Sequence, residues 1–406
     1  MTVPAERASD VSAPQRKDAE RRALGVACGA HALHDGYTDL VYVMLPIWQS
    51  EFGLGFAALG LMKTVFSGTL AGFQIPAGFL AERFGAAAVL AFGTALAGLG
   101  YFFAGLSGSV VTLVAALFIG GLGASTQHPL ASSLIAHAFA GTRSLKALGT
   151  YNFAGDIGKM TLPAAAALLF VVLPWRQTLM LLGSLGAIAA LAIFVAMPRF
   201  ADHESAAQRK SDGGVRPRGV ARGYGFPLLL SVGVIDSATR MAFLTFLPFV
   251  LTAKGASLQT VGLALTLVFA GGAAGKLICA FIGARIGTVA TVWLTEAVTA
   301  IGIMALLPLP LEAALVLLPV VGVALNGTSS VLYGSVPDLV EPAKRQRAFS
   351  IFYTGTIGAG AVSPAIYGLL GDAVGVTTAL IVVAALVLVT LPITLVLRPV
   401  LAAQAP

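Results

Sequence analysis

The sequence predicts an all-α membrane protein whose twelve transmembrane helices form two parallel six-helix repeats. Three observations predict it. Of 406 residues, 57% are hydrophobic and only 11% are charged, against about 25% charged in a soluble domain. So little charge cannot cover a water-soluble surface of this size, whereas a lipid-facing surface needs no such cover. The apolar runs are each about 20 residues or longer, enough to cross a hydrocarbon layer of roughly 30 Å. The chain also matches itself when shifted by 202 residues.

The apolar runs, punctuated by Gly, Pro and charge, lie near 24–50, 57–81, 86–106, 109–138, 146–171 and 175–197. They resume near 226–252, 259–284, 288–310, 313–340, 346–371 and 374–397. Between the two sets, 198–225 carries Arg199, Arg209, Lys210, Arg216, Arg218 and Arg222 among Gly and Pro, the composition of a linker. Residues 1–22 are polar and charged without an apolar core, so they predict a tail and not a signal peptide. The expected organisation is a tail over 1–22, a bundle over 23–197, a linker over 198–225, a second bundle over 226–398 and a tail over 399–406.

Loop charge predicts orientation. With both termini inside, the inner loops and tails hold 19 of the 25 Lys and Arg, and the outer loops hold Arg176 and Lys254. The other four, Lys63, Lys159, Arg240 and Lys276, fall within spans. That asymmetry predicts a multi-pass protein of the cell inner membrane with both termini cytoplasmic. It also accounts for the net charge of +7 without a nucleic-acid partner. Cys28 and Cys279 both sit in apolar runs and read as small core residues.

The internal repeat needs no gap across six spans. Pro46 meets Pro248, Arg83 meets Arg285, Arg143 meets Arg345 and Tyr151 meets Tyr353. Gly53, Gly60, Gly85, Gly120 and Gly158 meet Gly255, Gly262, Gly287, Gly322 and Gly360. Glycine matches come easily in a chain with 47 of them; matched Pro and Arg at one fixed shift do not. An even number of spans per half gives both halves one orientation, the arrangement of a transporter class whose halves rock about a central site.

Between spans two and three stands Gly78-Phe79-Leu80-Ala81-Glu82-Arg83-Phe84-Gly85, with a worn copy at Ala280-Phe281-Ile282-Gly283-Ala284-Arg285-Ile286-Gly287. This resembles the signature loop of the major facilitator superfamily, repeated at equivalent places. His34-Asp35, Pro46 and Gln49-Ser50-Glu51-Phe52 in span one, with Gly121 to Pro129 in span four, resemble the fosmidomycin-resistance type of proton-driven exporters. The loop acid here is Glu82 where the superfamily usually has Asp, and Leu117 stands where many members carry an Arg in span four. The resemblance implies that spans one, four, seven and ten line a central cavity, with five, eight and eleven contributing. It also implies an inner gate of Glu82, Arg83 and Arg143, with Glu82 reaching the N-terminal end of span eleven, where a helix dipole favours an anion.

Charge within the spans is the main functional signal, because a charged side chain at a span's centre costs roughly 2.5–3.5 kcal/mol on insertion scales. Asp35, Asp39, His128, Asp156, Lys159, Asp236, Arg240 and Lys276 all fall on the spans implied to face the cavity. Spacing of three or four puts His31 with Asp35, Asp35 with Asp39, Asp156 with Lys159 and Asp236 with Arg240 on shared faces. The last two pairs read either as structural ion pairs or as cavity groups. Asp35 and Asp39 have no cation near in sequence, so Asp35 leads the proton-coupling candidates, followed by Asp39, His128, Asp156 and Asp236. Lys159, Arg240 and Lys276 are candidates for attracting an anionic substrate or for holding acidic partners deprotonated. Tyr37, Tyr151 and Tyr353 either shape the pocket or pack between helices. Lys63, near the outer end of span two, is expected to snorkel to the interface.

No P-loop is present, no Cys/His cluster has metal-ligand spacing along the chain, and no enzyme constellation is positioned by the sequence. The expectation is a non-enzymatic, cofactor-free monomer in the lipid bilayer that works by alternating access, with a small molecule and protons as partners. Proton-coupled export of a small organic molecule, an anion being one class, stands first. Proton-coupled import of an organic anion and a non-transporting sensor or scaffold are the alternatives.

Overall fold

The computed structural model describes residues 13–139, 142–198, 223–341 and 344–402. The first half holds α1 (Ala13–Phe52), α2 (Phe56–Gly72), α3 (Gln74–Phe84), α4 (Ala86–Leu106), α5 (Val110–Ala124), α6 (Gln127–Ala138), α7 (Thr142–Leu169) and α8 (Trp175–Ala196). The second holds α9 (Gly225–Ala253), α10 (Leu258–Ile286), α11 (Thr288–Leu306), α12 (Leu311–Ser335), α13 (Arg345–Val374), α14 (Val376–Val387) and α15 (Thr390–Ala402). Most of the expected linker, and the start of the expected tail, lie outside the described residues. Helix α1 starts at Ala13, well before the expected 24.

Three expected spans are each two helices, and one mechanism accounts for all three breaks. Proline has no N–H, so the carbonyl four residues earlier loses its helical partner. Gly72, Ser125 and Leu388 stand at the breaks, and Pro76, Pro129 and Pro392 follow each by four residues. The α2–α3 pair is bent by 43°. Counting these pairs as single spans gives six per half. Nine described spans are long and apolar enough to cross a membrane, and the bent pair makes ten. The remaining two, α1 and α7, are the helices that bring Asp35, Asp39, Asp156 and Lys159 into the bundle.

The 202-residue repeat is visible in the backbone. Gly53 and Gly255 both have positive φ (64° and 87°), as do Gly85 and Gly287 (87° and 82°), a conformation that costs glycine little. Contacts repeat as well. A Cβ on Gly60 would lie 2.0 Å from the Pro364 carbonyl oxygen, and one on Gly262 2.5 Å from Ala167 Cβ. Thus α2 packs on α13 and α10 packs on α7, two pseudo-equivalent seams between the halves. Small residues let the backbones approach where lipid offers no hydrophobic drive for helix association.

Core packing positions the cavity. One buried cluster joins the halves, from Tyr42–Trp48 of α1 to Phe243, Leu247 and Leu251 of α9. Two separate clusters, one around Ile135 and Tyr151 and one around Leu332 and Phe352, occupy the side on which the described ends of α1 and α15 lie, Ala23 belonging to the first and Val400 to the second. The halves are therefore joined on the far side and separated on the terminal side.

Candidate functional site

A cavity of about 300 Å³ opens in that separation. Thr38 of α1, Gln74 of α3, His128 of α6 and Lys159 of α7 face Asp236 and Arg240 of α9, Tyr333 of α12 and Tyr353 of α13 across it. Asp236 is 4% exposed. It does not come within 4 Å of Arg240, so the expected intrahelical pair is open, and both groups serve the cavity wall.

Glycines bring α7 against α1 and build the first-half site. A Cβ on Gly158 would lie 1.8 Å from the Ala32 carbonyl oxygen, and one on Gly155 2.6 Å from Asp35 Oδ2. At that approach Lys159 Nζ reaches within 3.4 Å of Asp35 Oδ2. The other oxygen, Oδ1, has His31 Nε2 at 3.3 Å, His34 Nε2 at 3.8 Å and His128 Nε2 at 3.9 Å. Asp35 therefore does have a cation beside it, supplied from a different helix. Its like-charged neighbour Asp39, 5% exposed, has no cationic group within 4 Å.

Asp156 is likewise paired between helices and not with Lys159. Its carboxylate accepts from Lys276 Nζ at 2.6 and 2.8 Å, an α7–α10 bridge between the halves. Residues three apart on a helix face project into one interhelical space, where the facing helix offers the nearer partner.

Several expected roles are relocated. Tyr37 is 1% exposed; its hydroxyl donates to the Leu182 carbonyl at 2.7 Å and its ring stacks on Tyr101. Tyr151, also 1% exposed, stacks on His31 at 3.9 Å, and its carbonyl lies 2.8 Å from His31 Nδ1. Both pack beside the site, outside the cavity wall, whereas Tyr353 is 52% exposed in the cavity with Tyr333 against it at 4.5 Å. Lys63 does not snorkel. It is 1% exposed, donates to the Thr38 carbonyl at 2.8 Å and sits 4.4 Å over the Tyr42 ring.

The residues expected to form an inner gate are apart here. Glu82 and Arg83 are exposed, and Arg143 pairs with Glu20 of α1. On the far side, in contrast, Asp372 of α13 accepts hydrogen bonds from Phe56 N at 2.6 Å and Ala57 N at 2.9 Å. The state is closed on the far side and open on the terminal side.

Gln74, Tyr333 and His34 belong to the site or its edge and were not singled out by sequence as site groups. A polar residue two positions before Pro76, at a helix break, is a readable signal for Gln74. His34 is adjacent to Asp35 and was carried only as part of a family motif. The lack of metal-ligand spacing along the chain also does not carry over to space. His31, Asp35 and His128 each place one ligating atom within 4.8 Å of the others.

The family model of the Major Facilitator Superfamily matches residues 27–232 and 229–406. The fosmidomycin resistance protein of Escherichia coli K12 is 24% identical over 358 residues, 86% of this chain and 86% of that protein. The probable sulfoacetate transporter SauU of Cupriavidus necator is 29% identical over 173 residues, which is 42% of this chain and only 40% of that protein's length. Among solved structures, a bacterial homologue of the human lysosomal transporter Spinster has a TM-score of 0.78 at 15% identity, covering 96% of this chain and 99% of that one. The nucleoside transporter NupG gives 0.73 at 15% identity, covering 94% and 99%. The chain belongs to the Major Facilitator Superfamily, and it is a multi-pass membrane transporter of small substrates, not an enzyme.

Proposed function

We propose that this transporter exports a small organic anion across the cytoplasmic membrane by alternating access, coupled to protons, with both termini in the cytoplasm. The observation that carries the reading is the charge of the cavity wall. Lys159 and Arg240 line it together with His128, against one lining carboxylate, Asp236. A low-dielectric cleft lined mostly by one sign of charge concentrates ligands of the other sign. Fosmidomycin resistance, for which the E. coli relative is named, fits export, and sulfoacetate, named for the other, is an anion.

Proton coupling falls to the carboxylates beside that wall. Lys159 and three imidazoles hold Asp35, whereas Asp39, one turn further, is buried with no cation within 4 Å. Asp39 therefore stands ahead of Asp35 as the proton carrier, with His128, Asp156 and Asp236 as relay groups. Glu82, Arg83 and Arg143 close the cytoplasmic side when the cavity turns outward.

The test is proton movement in proteoliposomes with small sulfonates, phosphonates and carboxylates as candidate substrates. Substrate-dependent proton flux in the opposite direction to substrate is expected, and it is lost in Asp39→Asn. Flux in the same direction as substrate overturns export, and full coupling in Asp39→Asn overturns the assignment of the carrier.

A further inference from the structure

We propose that His31, Asp35 and His128 form a binding site for a divalent transition-metal ion of the zinc class, entered from the central cavity. This inference is independent of the direction of transport.

The argument begins with one ring. His31 Nδ1 lies 2.8 Å from the Tyr151 carbonyl oxygen. A carbonyl can only accept, so Nδ1 carries the hydrogen, and in a neutral imidazole Nε2 then presents a lone pair. That nitrogen faces Asp35 Oδ1 at 3.3 Å, and two lone pairs at that distance repel unless a positive centre lies between them. A backbone carbonyl that fixes the tautomer through the second ring nitrogen is also how metal-binding histidines are oriented.

A proton could occupy the gap between His31 and Asp35, but it would leave the other imidazoles unexplained. The Nε2 atoms of His34 and His128 converge on the same oxygen, at 3.8 and 3.9 Å. Nε2 of both His31 and His34 is buried with no hydrogen-bond partner, and the two residues are 2% and 5% exposed. Four-coordinate zinc with bonds of about 2.0–2.1 Å places its ligand atoms about 3.3–3.4 Å apart. His31 Nε2 is at that distance from Asp35 Oδ1 and His128 Nε2 is 3.9 Å from it, with the three ligating atoms all within 4.8 Å of one another, so the side chains must draw in around an ion. Two imidazoles and one carboxylate, with the fourth position left to water on the cavity side, are donors that zinc, cobalt and nickel share.

Access and surrounding charge complete the case. His128 is the outer wall of the cluster, with a side chain 45% exposed in the cavity, so an ion can enter without unfolding the bundle. From α7, Lys159 takes Asp35 Oδ2 and leaves Oδ1 to the metal. That cation opposes a second one, so Lys159 sets the affinity below that of a cluster lacking it. Asp39 on α1 and Asp156 on α7 supply compensating negative charge nearby, the latter shared with Lys276 of α10.

The experiment is zinc titration of the purified full chain, with any affinity tag removed, by calorimetry and metal analysis. One Zn²⁺ per chain is expected at neutral pH. His31→Ala and His128→Ala should each weaken binding about tenfold or more, and Lys159→Met should tighten it. His137→Gln with His203→Gln, the two remaining histidines, should leave it unchanged. Affinity unaltered in the His31→Ala, His128→Ala double variant overturns the proposal. If those variants fail to fold, Co²⁺ bound to the unaltered chain decides. Intense visible bands of a four-coordinate site support the site, and the pale spectrum of six-coordinate cobalt overturns it.

Discussion

The carboxylate of Asp372 caps the N-terminus of α2 from the opposite half of the molecule, with Phe56 N at 2.6 Å and Ala57 N at 2.9 Å. The local N-cap, Gly55, has no side chain to do this. At the repeat-equivalent position Ser257 accepts from Thr260 N and caps α10 from within its own helix. The second half therefore satisfies its own helix end, whereas the first satisfies it by a contact from the opposite half.

Asp372→Ala should accordingly favour the state open on the far side. An N-cap is worth about 0.5–2 kcal/mol; exposure puts this one at the lower end, a shift of a few-fold in the equilibrium. Spin-label distances across the far side would report it. An unchanged distance distribution would mean the cap does not contribute to closure.

Lys159→Met should destabilise the fold by on the order of 1–3 kcal/mol. Removing one partner of a fully buried ion pair costs about 3–5 kcal/mol because the other charge is left desolvated. Here the Lys159 side chain is 30% exposed and that of Asp35 8%, so solvent screens part of the loss. The double change Lys159→Met, Asp35→Asn should recover much of the stability, since no unpaired charge remains. Thermal unfolding in detergent checks both, and a double variant no better than the single would sink the explanation.

The Asp156–Lys276 bridge crosses between halves, so its coupling should appear in conformational equilibrium as well as stability. Asp156→Asn and Lys276→Gln should each shift the state distribution, while together they should shift it by less than the sum of the two. Additive effects in such a cycle would mean that the two groups act separately.

The repeat and the twelve spans were legible because each rests on a periodic or local signal, whereas the cavity helices followed only from the family resemblance, which left out span two with Ser67, Leu70 and Gln74 on the wall. Apolar length marks a span, and the 202-residue shift marks Gly53 with Gly255 and Gly85 with Gly287, whose positive φ values recur together. The helix breaks were legible in principle from Pro76, Pro129 and Pro392, yet uninterrupted α1, α7, α9, α12 and α13 also contain proline. What the sequence hid was partner choice. Asp35 finds Lys159, 124 positions away, and Asp156 finds Lys276 in preference to its near neighbour. Spacing shows which face a side chain shares, and the tilt and approach of the facing helix decide whom it meets. Lys63 was misplaced for the same reason, because the carbonyl of Thr38 on α1 receives it inside the bundle.

Glu296 of α11 is 1% exposed, and its Oε1 has no hydrogen-bond partner. It lies beside Thr328 and near enough to Asp236 for their charges to interact. A buried carboxylate with no cation within 4 Å is costly unless neutral, and glutamine has the same shape without the charge. Glu296→Gln should therefore fold at least as stably as the parent, whereas Glu296→Ala opens a void and should lose on the order of 2 kcal/mol or more. Marked destabilisation by the glutamine change would show that the charged form is used.

Glu82 is exposed in the state open on the terminal side, and Arg143, proposed to close that side with it, is paired with Glu20 instead. Glu82→Gln should therefore leave the unfolding temperature of this state unchanged. In the proposed alternating-access cycle, closing the terminal side brings the α3–α4 turn, held by Gly85 at φ 87°, toward the start of α13 at Arg345. A carboxylate arriving at a helix N-terminus is stabilised by the dipole, and by any arginine there, in a way an amide is not. The glutamine variant should then populate the far-open state less and transport more slowly, with substrate affinity measured from the terminal side unaltered. Reduced stability without a change in the state distribution would instead assign Glu82 a purely structural part in the turn.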